Sequence, residues 1–305
     1  MIKPFLFLCV LYLKLIKMKN AIILVFTTII SLGLQAQGKK AFQLFTRDGK
    51  PVEYSEMLDN LLPADLIFFG EQHNNPIAHW MQLDLTKDLF ENKKDKLILS
   101  AEMFESDNQV IVDEYLDSII PRARFEAECR LWPNYETDYK PLLEFAKENK
   151  LKFIAANVPR RYANIVSKGG FEVLDSLSDE AKSFLPPLPI EYDPTVPCYK
   201  SMMEMEGMPA HMTENLPKAQ ALKDATMAYF MNENFKAGYQ LIHYNGAYHS
   251  NNHEGTVWYI KRYSSMWKIQ VISTVEQEDI GVLDEENMGL GDYILAVPEN
   301  MTKTY

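Results

Sequence analysis

The chain has 305 residues, 47% of them hydrophobic, with 31 basic residues against 42 acidic ones and a net charge of −11. An acidic surface of this kind repels nucleic acid and anionic membranes, and no nucleic-acid partner is expected. The length, less a leader, suits one large α/β domain.

In chain order, the first forty residues stand apart. Ile2 to Ile16 is apolar apart from Lys3 and Lys14, and the basic cluster Lys17-Met18-Lys19-Asn20 precedes a second apolar run, Ala21 to Leu34. Leu34-Gln35-Ala36 then offers a small residue before polar sequence. A basic region, an apolar region and a small-residue exit describe a secretory signal. Residues 1–36 are therefore expected to be a signal peptide, with the true start at Met18, cleavage near Ala36 and export to the periplasm. An uncleaved anchor is the alternative, although the lysines interrupt any span of about twenty apolar residues. Without the leader's four lysines, 27 of the 31 basic residues face all 42 acidic ones.

From residue 42 onward, strand-like and helix-like runs alternate. Strands are expected at Asp65–Gly70, Lys96–Met103, Leu151–Val158, Gly238–Tyr244, Lys268–Thr274 and Asp292–Val297. Helices are expected at Pro76–Phe90, Arg122–Cys129, Lys140–Asn149, Arg160–Ser167, Thr213–Phe235 and Glu254–Tyr263. Ser106-Asp107-Asn108-Gln109 has the form of a capping box opening a helix through Leu116. Repeated alternation predicts an α/β fold with a mainly parallel central sheet flanked by helices. The prolines from Pro186 to Pro197 and the methionines from Met202 to Met212 break the pattern, so residues 171–212 are read as a helical lid inserted into a single domain spanning 42–305.

The strand ends carry the chemistry. Leu66-Ile67-Phe68-Phe69-Gly70 runs into Glu71 and His73, the second strand ends at Glu102, the third at Asn157 near Arg160, and the strand from Gly238 leads to His249. In a parallel sheet these ends converge on one rim, where α/β proteins place ligands. Glu71 and His73 share a side of an extended backbone. With His249 they can supply ligands to a divalent metal. His73 with Glu71 or Glu102 can equally serve acid–base chemistry without one. The plainer reading is that His73 and His249 hold loop backbones while Glu102 pairs with Arg160 or Arg161. His249 and His253 share a face only if that segment is helical, and His243 is read as a core residue. Cys129 and Cys198 can pair in an oxidising compartment. No Cys-x-x-Cys-His is present for covalent haem attachment, and there is no Gly-x-Ser-x-Gly elbow, phosphate loop or His-Glu-x-x-His.

Gly70-Glu71-Gln72-His73, Ser100-Ala101-Glu102-Met103-Phe104, Ala156-Asn157-Val158-Pro159-Arg160 and the run Ala219 to Ala228 occur in an order that resembles the ChaN, or haem-binding uptake, family, related to the Tiki/TraB proteins and the erythromycin esterases. The Trp132-Pro133-Asn134-Tyr135 segment with Tyr139-Lys140-Pro141 also matches, either walling a pocket or simply packing. The resemblance implies an exported, periplasmic or outer-membrane-associated protein of haem and iron uptake, with a membrane-associated transport partner. It implies haem beneath the lid at a homodimer interface, held by a tyrosine and a histidine of the partner. Tyr199 is the first choice for that tyrosine, Tyr192 the second, and His211 the matching histidine. The alternative that the related hydrolases imply is cleavage of an ester or peptide bond at Glu71, His73, Glu102 and His249.

Overall fold

Leu66-Ile67-Phe68-Phe69 offers no polar side chain to either face, which suits a strand covered on both sides. The computed structural model, which describes residues 39–204 and 210–305, buries the whole of this strand in the middle of a sheet. The chain runs β1 (Gln43–Thr46), α1 (Tyr54–Leu61), β2 (Leu66–Glu71), α2 (Pro76–Lys93), β3 (Leu97–Glu105), α3 (Gln109–Leu116), α4 (Arg122–Glu128), a π-helical turn (Tyr135–Tyr139) and α5 (Lys140–Glu148). It continues through β4 (Lys152–Asn157), α6 (Arg160–Gly169), α7 (Asp179–Lys182), α8 (Pro197–Met203), α9 (Ala210–Asn234), β5 (Gln240–Gly246), α10 (Thr256–Tyr263), β6 (Ile269–Gln277) and β7 (Tyr293–Pro298).

The seven strands order as β1-β7-β6-β2-β5-β3-β4. Only the β1–β7 pairing is antiparallel, so the mainly parallel α/β architecture expected from the alternation is the one observed. β2 pairs with both β5 and β6. From β2 the chain moves outward to β3 on one side and later to β6 on the other, which opens a crevice at the carboxyl ends of the strands.

Each face has its own core. On one, Met57 and Leu61 of α1, Met81, Leu85 and Leu89 of α2, and Leu142 and Leu143 of α5 pack on the sheet. On the other lie Ala221, Ala225 and Met231 of α9 with Val257 and Ile260 of α10. Cys129 belongs to the first core and Cys198 to the second, and both thiols are free. The sheet between them is why the pairing considered from sequence does not form.

Local signals set the entry to the crevice. Asn75 caps α2, its Oδ1 accepting from the amides of Ile77 and Ala78 at 3.1 Å each, and Pro76 takes the first helical position, where its missing N–H is harmless. The capping box at Ser106 does not form. The Ser106 hydroxyl donates to Phe184 O, and Gln109 instead pairs with Phe153 O and Ala155 N. Gln109 thereby covers the exposed edge of β4, and satisfying that open edge outweighs a cap.

Within the segment read as a lid, Leu174 and Leu185 pack against Tyr162 and Val166 of α6 and Leu222 of α9. Val196, Cys198 and Tyr199 join the second core. The expected signal peptide lies outside the described residues, as do Met205–Pro209 and the side chain of His211. Among the described residues no helix is long and apolar enough to cross a membrane.

Candidate functional site

The carboxyl ends of β2, β3, β4 and β5 open into a cleft of about 890 Å³, within the roughly 300–1,000 Å³ typical of small-molecule sites. Glu71, His73, Glu102 and His249 all line it. The convergence expected from the strand order therefore brings these four together, as two histidine–carboxylate units.

The first unit is Glu71 with His73. Glu71 is 1% exposed. Its Oε1 meets His73 Nδ1 at 2.9 Å and accepts from the Tyr139 hydroxyl at 2.7 Å, while Oε2 accepts from Gln82 Nε2 at 2.6 Å. His79 stands 3.4 Å from the same oxygen, and its other nitrogen lies 3.3 Å from Asp138. Burial alone would raise the Glu71 carboxyl, but hydrogen bonds from His73 and His79 outweigh it and hold the group at about 2. Burial likewise opposes charge on His73, and Glu71 and Glu102 overcome it, so its pKa is raised. The imidazole is clamped further, because Asn134 Nδ2 donates to His73 O at 2.9 Å and the Trp132 ring lies edge-on 4.8 Å away.

With Nδ1 held by Glu71, Nε2 faces inward over Gly246. A Cβ at residue 246 would stand 2.7 Å from that Nε2 and 3.5 Å from Glu102 Oε2. Glycine at this strand end is what lets the imidazole sit on the cleft floor.

The second unit is a buried chain, Glu102–His249–Asp224. His249 Nε2 lies 3.2 Å from Glu102 Oε1, and Nδ1 lies 2.6 Å from Asp224 Oδ1. Glu102 Oε2 accepts the Gly246 amide at 2.7 Å. Asp224 also accepts from Thr256 Oγ1 at 2.8 Å and from the Tyr199 hydroxyl at 2.7 Å. Burial disfavours the imidazolium, yet two flanking carboxylates lift His249 to about 10. The two carboxylates thus favour its protonated form.

His243 on β5 is the opposite case. Fully buried, with Nδ1 on Ser100 Oγ at 2.9 Å and Nε2 without a partner, it is pushed down to about 3 by burial. Its folded pKa lies below the unfolded value near 6.5. The unfolded chain therefore takes up the extra proton as pH falls, and stability drains away between about pH 6.5 and 3. His249 runs the other way: its contribution is complete below about pH 6.5 and is lost as pH rises toward 10. Urea unfolding from pH 6 to pH 4 is expected to show the wild type losing about 1.4 kcal/mol per pH unit more than His243→Gln. Equal slopes would remove His243 as the cause.

Several expectations are corrected by this geometry. Among the described residues no group of three or more His, Cys, Asp or Glu is placed to hold a metal. The metal trio Glu71, His73 and His249 fails because Glu71 is hydrogen-bonded on both oxygens and His249 is enclosed between Glu102 and Asp224. Glu102 pairs with neither Arg160 nor Arg161, which bond Glu105 and Asp107 respectively. His253 does not join His249, because a kink at Asn252 turns it to Asp292 at 3.1 Å. Tyr199 does not face the cleft. It is fully buried behind His249, and burial with Asp224 pushes its phenol far above the ordinary value, against the phenolate that iron would need. Tyr192 is packed beside Tyr199 in the second core. No described residue of 171–204 lines the cleft.

Asp224, Gln82 and Glu105 were not singled out from sequence, and Tyr139 entered only within a segment that matches the family. Asp224 carries the clearest signal, an acid set among small apolar residues in the Ala219–Ala228 run. Glu105 is brought to the cleft by an irregularity of β3 between Ala101 and Glu105.

Comparison with known proteins bears on the fold and the family. A structure of ChaN from Campylobacter jejuni showing cofacial haem binding superposes with a TM-score of 0.62 at 18% identity, covering 84% of this chain and 97% of that one. A mutant of the erythromycin esterase EreC in its open conformation gives 0.47 at 10% identity, over 85% and 98% of the two chains. A stretch of 135 residues is 26% identical to the chloroplastic protein RETICULATA-RELATED 5 of Arabidopsis thaliana. That match takes in 42% of this chain and 18% of the relative, so the chain spans under a fifth of that relative's length. A sequence model described as haem-binding uptake, Tiki superfamily, ChaN matches residues 57–260, more than half of the chain, and the protein belongs to that family.

Proposed function

We propose that the cleft binds haem and that the protein serves haem and iron uptake. The observation that carries this reading is the His73 imidazole. Its Nδ1 is held by the buried Glu71, and its Nε2 is turned into a cleft of suitable size. Histidine ligands of metals characteristically give their second nitrogen to a carboxylate in this way. The lining offers apolar surface to haem through Trp132, Pro133, Val158 and Leu216. Bound there, haem would supply an iron centre, and His73, rather than the buried Tyr199, would be the residue of this chain to hold it.

Haem is proposed to sit at a homodimer interface. The word cofacial, used of the Campylobacter protein, describes two haems face to face, and Tyr248 at the cleft mouth is 43% exposed. The leader pattern of residues 1–36 supports export, with a periplasmic or outer-membrane-associated site of action and a membrane-associated partner for transfer. Sedimentation velocity tests the dimer: ferric haem is expected to shift the protein from one chain to two. An unchanged sedimentation coefficient at saturating haem would contradict it.

One observation favours a second reading. A carboxylate holding Nδ1 leaves His73 Nε2 as a base for a water molecule, the arrangement of a hydrolase acting on ester or peptide bonds.

A further inference from the structure

Helix faces that meet a protein core are usually apolar at i, i+3, i+4 and i+7. The α6 face that lines the cleft instead reads Arg160, Ala163, Asn164 and Ser167, and the α9 face reads Leu216, Ala219, Gln220 and Lys223. Asn215 Nδ2 reaches Lys168 O at 3.5 Å, where the end of α6 meets the beginning of α9, so the two helices run antiparallel. Roughly two helical turns from that contact, Arg160 and Lys223 come level with each other at the inner end of the wall.

Both cations have free hydrogen-bonding capacity. Arg160 donates through Nε to Glu105 Oε1 at 2.5 Å, and Glu105 is also bonded by Arg130 at 2.7 Å. Among the described residues the two terminal nitrogens of Arg160 have no partner, and its side chain is 62% exposed. Lys223 is half-buried and has no hydrogen-bond or ion-pair partner among the described residues. The carboxylates of the cleft are already matched, Glu71 by His73 and Glu102 by His249. A chain of net charge −11 thus keeps in its main cleft two cations with donors to spare, Arg160 through its terminal nitrogens beside the Glu105 pair and Lys223 bearing on Glu102 by charge alone, a local field that attracts anions.

We propose that Arg160 and Lys223 form an anion subsite of the cleft, taking the carboxylate groups of a flat, otherwise apolar ligand. The proposal rests on the haem reading, where the carboxylates are the propionates. Arg160 can meet a carboxylate with both terminal nitrogens, and Lys223 adds a point charge.

The test is a fluorescence-quenching titration of the full chain with iron-free mesoporphyrin, as the diacid and as its dimethyl ester. The diacid is expected to bind the wild type about tenfold tighter than the diester, and the double variant Arg160→Gln/Lys223→Gln is expected to lose that preference. Arg160 is exposed and Glu105 keeps Arg130, so the variant retains its fold, which circular dichroism checks. Equal binding of diacid and diester by the wild type, or wild-type affinity for the diacid in the double variant, overturns the subsite. If neither porphyrin binds the wild type, the haem reading fails and anilinonaphthalene sulfonate decides the subsite. Binding to the wild type and not to the double variant upholds it; equal binding, or none, overturns it.

Discussion

His73→Ala is expected to lower the affinity for ferric haem at least as much as loss of its supporting carboxylate does. Removing such a supporting group typically costs about 10–100-fold in metal affinity, so Glu71→Gln is expected in that range and His73→Ala at or beyond its upper end. The wild-type affinity is also expected to fall on acidification, because Nε2 must be free of a proton to meet iron. Glu71 and Glu102 raise the His73 pKa, so that fall begins above the pH at which an ordinary histidine titrates. The same variant separates the two readings of the site. If His73 is instead the base of a hydrolase, the variant loses about 10²–10⁴-fold in ester turnover while any haem spectrum stays as in the wild type.

The second large effect is on stability. Asp224→Ala is expected to destabilise the fold by about 3–5 kcal/mol, the usual result of removing one partner from a buried ionic group. Asp224 is 1% exposed and binds His249, Thr256 and Tyr199 at once. Without it His249 keeps Glu102 and Gln220 but loses one of its two carboxylates, and the hydroxyls of Tyr199 and Thr256 lose their acceptor in a dry interior. Asp224→Asn keeps an acceptor there and is expected to lose markedly less. Urea unfolding near pH 7 reads both, and a loss below about 1 kcal/mol for the alanine variant would show that Asp224 does not hold this chain together.

Much of this site is legible from the rim upward. A buried strand that stops at Gly70 and continues as Glu71-Gln72-His73 announces a loop at the end of a sheet, and alternation implies parallel neighbours whose ends must meet it. Glu102 and His249 follow from that topology alone. The groups that set their charge do not, because they lie on helices. Gln82, Tyr139 and Asp224 reach the site only once α2, the π-helical turn and α9 have docked. Their spacing from Glu71 and His249 carries no local period, and the acid in the Ala219–Ala228 run and the family match of the Tyr139 segment were the hints. The Ser106–Gln109 pattern misled for the complementary reason. Its local geometry permits a cap, but Gln109 finds a stronger claim in the open edge of β4. Tyr199 misled because tyrosine, methionine and proline in one segment look like cover for a ligand, whereas here the ring fills a core and its hydroxyl completes the shell of Asp224.

The measurement that bears most directly on the account is an absorbance titration of the purified protein with ferric haem, run beside His73→Ala. A saturable Soret shift at one haem per chain in the wild type, weakened and altered in the variant, is the expected result and places iron at the Glu71–His73 unit. A titration with no saturable change, or one that His73→Ala leaves untouched, would contradict haem binding at this cleft.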